Sequence, residues 1–462
     1  MRPLCLAANG AWIASSLPAA LSFHANMDRT AEVQEATLLR ILRRNGLGSI
    51  RSIREYQQRV PVRTYDEYGE ITATGVTHYE RTSGSSGAAK RIPYNRDLRA
   101  EMGRAIAPWI VDLFAAHPAA FAGEAYWSIS PVLSSEAGSD SDEDHLGPMR
   151  ARLVRAVQAV PRDVRFIRDI EAFRRTTLEH LLRCRTLSLI SVWHPSFLLL
   201  LLGDLREKAA ELWPKLRVIS CWSDANAARD AAELARIFPR ACIQPKGLLS
   251  TEGFVSIPIV DAEAPALAYR SHFYELRCTQ TDRVLPATEG EVGGRYRVVL
   301  TTGAGLYRYD TEDVIEIAGY RGACPLLRFI GRAQHISDHY GEKLNEIFVR
   351  ERLERVLLER GVIATFAMLA CETNAYTLFI ESVAPDALLL DAAHALDHAL
   401  CENIHYDYCR RLGQLGALNV FRITRNASAT YLTHAPQRLG DVKLTSLDPR
   451  PGWSERFQGS WV

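Results

Sequence analysis

The chain is 462 residues long, 47% apolar and 24% charged, and its 55 Lys and Arg against 54 Asp and Glu leave a net charge of +1. A chain of this length exceeds one compact core, so two or three domains are expected, and the near-neutral balance gives no field for nucleic acid or an anionic membrane. The nine cysteines are odd in number, scattered and without a C-x-x-C pair, which argues against a disulfide framework or a zinc site and reads as reduced thiols in a cytoplasmic protein.

In chain order, "MRPLCLAANGAWIASSLPAAL" carries one early positive charge and a broken apolar run, and reads as a helix folded onto the body in preference to a signal peptide. Residues 30–60 show helical periodicity through Leu38, Leu39, Ile41 and Leu42, broken at "NGLG". An amphipathic helix is predicted over 98–116, with Asn95 or Asp97 as its N-cap. "AYWSIS" (125–130) and "TLSLISVW" (186–193) are predicted buried strands, with an acidic, Ser-rich loop at 134–147 between them. The apolar run 187–205 is interrupted by His194 and Pro195 before it reaches the roughly 18 residues of a membrane span, so a strand turning into a helix is expected.

Strand-rich segments follow over 215–224, 241–260 and 293–320. Strands alternating with helices to about residue 330 predict a large mixed α/β domain, 1–330. A boundary is placed near Gly331. After it come a helix (344–360), a strand pair around "TFAMLACETNAYTLFIES", a long helix (385–411) and a last strand "NVFRITRN", a small α+β domain over 331–462.

"RTSGSSGAAKRIPY" (81–94) packs Thr82, Ser83, Ser85 and Ser86 around Gly84 and Gly87 and then places Lys90. Glycine lets backbone approach a ligand, and consecutive N–H groups with hydroxyls make a nest for phosphate oxygens. A Walker loop fails because Ala89 precedes Lys90 and Arg91 follows it. A nucleophile elbow fails because Ala88 stands where the last glycine belongs, and an S-x-x-K pair fails because Gly87 sits three before Lys90. A serine-dependent amidase with Ser85 or Ser86 as nucleophile stays open, as does a flexible linker.

The order T-S-G-[ST]-[ST]-G-x-x-K resembles the phosphate loop of the adenylate-forming superfamily of acyl-CoA synthetases, peptide-synthetase adenylation domains and luciferases. Four further segments follow in that superfamily's order: "GLLSTEGFVSIP" (247–258), "LYRYDTEDVIEI" (306–317), "FIGRAQHISDHYGEKLNE" (329–346) and "QRLGDVKLTSL" (437–447). More closely, the chain looks like a bacterial member of the plant auxin-responsive acyl acid-amido synthetases, the Gretchen Hagen 3 family. The resemblance rests on those segments with "AYWSISP", "LISVWHPSFLLLLL" and "SIRSIREYQQRVPVRTYDEY", and it runs from about residue 6 to 447.

The resemblance implies an adenylate-forming fold and a reaction in two steps. A carboxylic acid and ATP give an acyl adenylate and pyrophosphate; an amine, such as an amino acid, then takes the acyl group and AMP leaves. Thr82, Ser83, Gly84, Ser85, Ser86, Gly87 and Lys90 would hold phosphates, with Ser250 and Thr251 at the α-phosphate. Glu252 would hold Mg²⁺, Asp313 would grip the ribose, and Arg332 would reach ribose or phosphate. Lys443 would catalyse the first step, with 331–335 as the hinge of a mobile small domain. Trp127, Trp193 and His194 would line the acyl site. The partners implied are a small carboxylic acid and an amine, with no nucleic acid and no membrane; a carrier protein is not indicated. Two departures stand out: Leu248 replaces an adenine-stacking aromatic, and Glu312 replaces the glycine before the ribose aspartate. A bland reading gives Asp313 to Arg308 on a strand. A thiol acceptor, CoA or a carrier arm, and a nucleotide-binding protein without turnover also remain open.

Overall fold

The computed structural model describes residues 3–68, 71, 73–81, 90–127, 148–167, 169–333, 336–434 and 444–462. They fall into two compact units that part between Ile330 and Gly331. In the first unit, the hairpin β1 (His78–Arg81) and β2 (Arg91–Tyr94) leads into helix α4 (Arg96–Ala116); α1 (Pro3–Ala25), α2 (Thr30–Arg44) and α3 (Ile53–Arg59) precede it. Asn95, not Asp97, is the cap: its Oδ1 accepts from Leu98 N at 2.9 Å. The other end of that side chain is equally committed, because Nδ2 donates to the carbonyls of Gly303 (2.9 Å) and Thr74 (3.1 Å).

A four-stranded parallel sheet follows, in the order β3 (Glu124–Trp127), β4 (Leu187–Ser191), β5 (Val218–Cys221) and β6 (Cys242–Pro245). Buried strands of this kind need helices on both faces. Helix α7 (Pro195–Leu202) packs against α9 (Ala228–Ile237), and α9 against β6. On the opposite face, α4 reaches the sheet where Trp109 Nε1 donates to Gln244 Oε1 at 2.9 Å. The run after residue 187 is therefore the expected strand turning into a helix.

Helix α1 packs on α4 through the face bearing Cys5, Ala8, Trp12, Ser16, Ala20 and Phe23. By length and composition it is the one helix among the described residues that could cross a membrane. All nine cysteines are free thiols.

The second sheet of this unit has seven strands in the order β10-β9-β11-β12-β13-β8-β7. These are β7 (Ser256–Ile257), β8 (Ala266–Leu267), β9 (Phe273–Cys278), β10 (Val284–Pro286), β11 (Arg295–Thr301), β12 (Tyr309–Arg321) and β13 (Cys324–Arg332). Its turns carry most of the site residues.

The second unit is a five-stranded sheet, β19-β16-β17-β18-β20, with helices α10 (Glu346–Glu359) and α11 (Asp386–Leu400) packed together. Strands β16 (Ala364–Glu372) and β17 (Ala375–Ser382) form the predicted hairpin, and β18 (Asn419–Ile423) lies parallel to β17. The long helix expected over 385–411 is two helices. Asn403 ends the first and caps α12 (Ile404–Arg411), accepting from His405 N and Tyr406 N. "NVFRITRN" is not the last strand: β19 (Leu447–Asp448) and β20 (Gly459–Trp461) follow and take the two sheet edges.

Because Asn95 joins α4 to the Gly303 turn, replacing it with alanine should remove a cap and leave the Gly303 carbonyl only the longer bond from Asn45 Nδ2 at 3.4 Å. The expected cost is about 2 kcal/mol, read as a lower urea midpoint in the tryptophan fluorescence transition. Asn95→Asp, which keeps the cap and loses the amide donor, should recover part of it.

Candidate active site

The segment "GLLSTEGFVSIP" folds as a tight loop. Leu248 and Val255 pair through Val255 N donating to Leu248 O (2.9 Å), Leu249 bridges Phe254, and Ser250 N donates to Gly253 O at 3.1 Å. The Ser250 hydroxyl adds a second bond to the same carbonyl at 3.0 Å. Thr251 and Glu252 therefore sit at the tip. Gly253 is required there: a Cβ would lie 2.9 Å from His272 Nε2 and 2.9 Å from Leu300 Cδ2.

His272 is the post behind this turn. Its Nε2 accepts from Phe254 N at 3.4 Å, so Nδ1 carries the proton and donates to Glu101 Oε2 at 2.9 Å. The same Glu101 oxygen accepts from Gly303 N at 3.0 Å. One buried carboxylate on α4 thus fixes two turns of the seven-stranded sheet.

From the other side, the loop is reached by the strand that follows the Ser/Gly segment. Tyr94, at the end of β2, donates its hydroxyl to Thr251 O at 2.8 Å. Lys90, half-buried just before β2, donates to the Tyr309 hydroxyl at 3.0 Å, and Tyr309 donates to Glu252 Oε1 at 3.2 Å. The Lys90 amine also lies 5.6 Å from the centres of the Tyr65 and Tyr309 rings and 4.0 Å from Glu312 Oε2. Lys90, Tyr309 and Glu252 make a cation–hydroxyl–carboxylate relay in a site where Glu252 is only 4% exposed. Glu252 caps no helix. Tyr68 stands edge-on to Tyr309, ring centres 6.0 Å apart, and burial pushes its phenol well above the usual range.

Asp313 lies on β12 beside a bulge. Arg297 pairs with Val314 and Val299 with Asp310, so Val298 alone faces residues 311–313. Glu312 takes the left-handed conformation at φ 65°, the backbone a glycine would adopt there. The extra residues are tied by side chains: Thr311 Oγ1 donates to Val298 O (3.0 Å), Glu312 N to Asp310 Oδ1 (3.0 Å) and Asp313 N to Thr311 Oγ1 (3.2 Å). Arg308 is not held by Asp313; its guanidinium is paired with Glu275 at 2.8 and 3.0 Å. Leu248 is buried in the core of the unit.

Trp127, Trp193 and His194 gather at the C-terminal ends of the parallel strands, the ordinary ligand edge of such sheets. Trp127 packs on Trp12 and Trp193 on Trp222, with ring centres 5.7 and 5.5 Å apart. His194 faces the start of α7, where its Nδ1 caps Ser196 N at 3.2 Å. Thr82, Ser83, Gly84, Ser85, Ser86, Gly87 and Lys443 lie outside the described residues, as does the acidic loop. Arg332 ends β13 in the second unit. Among the described residues no three His, Cys, Asp or Glu side chains are grouped as metal ligands. Sequence reasoning missed Tyr94, Tyr309, Glu101 and His272; Tyr94 ends one quoted motif and Tyr309 stands inside another, four residues before Asp313, while Glu101 and His272 carry no local signal.

Models of the GH3 family match this chain, its N-terminal domain over residues 20–231 and its central domain over 265–332. A jasmonoyl–L-amino acid synthetase of Oryza sativa subsp. japonica is 33% identical over 156 residues, covering 32% of this chain and 27% of that protein. One of Nicotiana attenuata is 27% identical over 164 residues, 34% of this chain and 28% of its own length. A GH3 domain-containing protein of Homo sapiens is 26% identical over 243 residues, 48% and 46% of the two chains. The matched stretches therefore span less than a third of the two plant synthetases.

Among solved structures, the GH3.15 acyl acid amido synthetase aligns with a TM-score of 0.75 over 93% of this chain and 94% of its own, at 15% identity. A 2-hydroxyisobutyryl-CoA ligase in the postadenylation state, in complex with 2-HIB-AMP, gives 0.51 over 87% and 85%, at 12% identity. The fold is that of the adenylate-forming enzymes, and the chain carries the N-terminal and central domains of the GH3 family.

Proposed function

We propose that the protein is an ATP-dependent acyl acid–amido synthetase, which activates a carboxylic acid as its adenylate and passes the acyl group to an amine, such as an amino acid. The observation that carries this reading is the convergence of Lys90, Thr251 and Glu252, from segments some 160 residues apart in sequence, through the hydroxyls of Tyr94 and Tyr309. The GH3 domain matches and the named activities of the relatives support it.

The first step joins a carboxylate to a polyanion, so its barrier is largely electrostatic. In this reading Lys90 offers charge to the phosphates, the 82–87 segment offers hydroxyls and backbone amides, and Ser250 and Thr251 sit beside the α-phosphate. Asp313 takes the ribose hydroxyls, with Arg332 as a second contact. Glu252 Oε1 is engaged by Tyr309 and Oε2 takes no hydrogen bond among the described residues, which suits a hard cation that binds one carboxylate and completes its shell with phosphate oxygens. Magnesium held there would supply positive charge against the developing pyrophosphate. Lys443 serves the first step only, and the small domain moves about 331–335 between steps. A bacterial, cytoplasmic enzyme working without nucleic acid or membrane, and with no carrier protein indicated, completes the proposal.

An acid-by-amine screen read by pyrophosphate release should show acid-dependent release and amide product. Product with CoA alone would move the acceptor to a thiol, and amide hydrolysis without ATP, lost in Ser85→Ala or Ser86→Ala, would favour an amidase. Glu252→Ala and Asp313→Ala should each cut adenylate formation at least tenfold; near wild-type rates would remove them from the site.

Tyr309→Phe keeps the ring and deletes the link between Lys90 and Glu252. It should lower the adenylation rate about tenfold while leaving the reaction of supplied acyl adenylate with amine unchanged. Lys443→Ala should show the same separation of steps.

A further inference from the structure

Helices α2 and α4 meet the Gly303 turn in a cleft that the chemistry above does not use. Arg40 and Arg44 from the end of α2, Asp97, Glu101 and Arg104 from α4, and Gly303 itself line it. Spacing alone puts them there, because residues three or four apart share one face of a helix. No described residue proposed for the nucleotide is among them. The cleft opens to solvent and, mouth included, spans about 210 Å³, while its floor has room for one water-sized atom.

Three guanidiniums stand here against two carboxylates, and the carboxylates are already engaged. Asp97 Oδ1 is paired with Arg44. Glu101 gives Oε2 both to His272 and to the Gly303 amide. Arg104 donates only to backbone, Nε to Arg270 O at 2.9 Å and Nη2 to Ser271 O at 3.4 Å. Arg40 Nη2 is buried with no hydrogen-bond partner, and among the described residues neither Arg40 nor Arg104 enters an ion pair. Burial pushes both guanidiniums down, Arg104 to about 10; the neighbouring arginines add to that and Glu101 opposes it. Guanidinium stays protonated at neutral pH, so the cleft keeps a positive charge that its own side chains do not match.

Like charges four apart on a helix destabilise it, and desolvating a charge is costly unless a counter-charge comes with the burial. A water in the floor would accept hydrogen bonds and bring no charge. A tetrahedral oxyanion brings both: one oxygen fills the floor, the others stay in the mouth, and the planar forks of arginine match them in pairs. We infer that this cleft is an anion site in which Arg40 and Arg104, with the half-exposed Arg44, bind a phosphate group, free or at the end of a small molecule. The site stands or falls apart from the synthetase reading, since its ligand is held and not turned over.

The test is isothermal titration of the full chain, without nucleotide, with inorganic phosphate and with glycerol 3-phosphate, chloride holding the ionic strength constant. The wild type should bind phosphate at millimolar concentration or below, and phosphate should raise the thermal midpoint above the chloride control. Arg40→Met and Arg104→Met should each weaken binding at least tenfold, Arg40→Lys should keep part of it, and Lys90→Met should leave it in place. Binding of phosphate alone supports a free ion as ligand, and equal binding of both supports a terminal phosphate group. No binding of either at millimolar concentration, a midpoint no higher than with chloride, binding that survives in both Arg40→Met and Arg104→Met, or binding lost in Lys90→Met alone would each overturn the inference. The first two need no variant to fold.

Discussion

The buried contact between Glu101 and His272 is the constraint on which the site depends. Glu101 projects from α4, a helix whose start is fixed by Asn95, and its carboxylate binds both the His272 ring and the amide of Gly303. His272 then holds the amide of Phe254, so one side chain determines where two separate turns stand relative to one helix. The packing leaves no slack: a Cβ at Gly253 would strike His272, and one at Gly303 would lie 2.7 Å from Glu101 Oε1. Removing the His272 donor would leave a buried carboxylate short of a partner, at a cost of at least about 1–3 kcal/mol. That stiffness is what allows Thr251 and Glu252, at the tip of a loop, to be held in place.

The bulge at Glu312 shows the same economy with different chemistry. A side chain at positive φ costs roughly 1 kcal/mol relative to glycine, yet the turn forms because Asp310 and Thr311 tie its amides. Asp310 is itself held by Arg277 (3.2 Å) and Arg297 (3.1 Å). The side chain that glycine would lack then adds a carboxylate 4.0 Å from Lys90. The departure from the family pattern therefore leaves the turn in place and changes the charge around the lysine.

Much of the fold was legible locally. The Asn95 cap, the strand-to-helix turn at His194 and Pro195, and the β16–β17 hairpin each announce themselves within a few residues. The split of the 385–411 helix did not, because apolar spacing continues across Cys401 while Asn403 bonds two amides ahead and restarts the helix. Strands β19 and β20 are two and three residues long and exist through their partners Leu369–Ala370 and Phe421–Ile423. The candidate site residues Ser250, Thr251, Glu252 and Asp313 are named by their motifs alone. The connections were not, since Lys90 and Tyr309 lie 219 residues apart and Glu101 and His272 171 apart. Periodicity reports faces, not meetings. Lys246 stands in plain view before the "GLLSTEG" segment, but only its bond to Ser191 Oγ shows that its amine is turned back into the protein.

These contacts divide the labour between two sheets. The turns of the seven-stranded sheet carry the groups proposed for the nucleotide, and the ends of the parallel strands carry Trp127, Trp193 and His194, expected to line the acyl site. Helix α4 touches both, with Asn95 and Glu101 at one and Trp109 at the other. A rigid helix sets a fixed separation between those two contacts, so the turns and the strand ends keep their spacing whatever side chains stand at either. Substitutions at the parallel edge can then alter its side chains without disturbing the turns that hold Thr251 and Glu252. That is the condition under which one fold can serve relatives that differ in substrate while sharing a reaction.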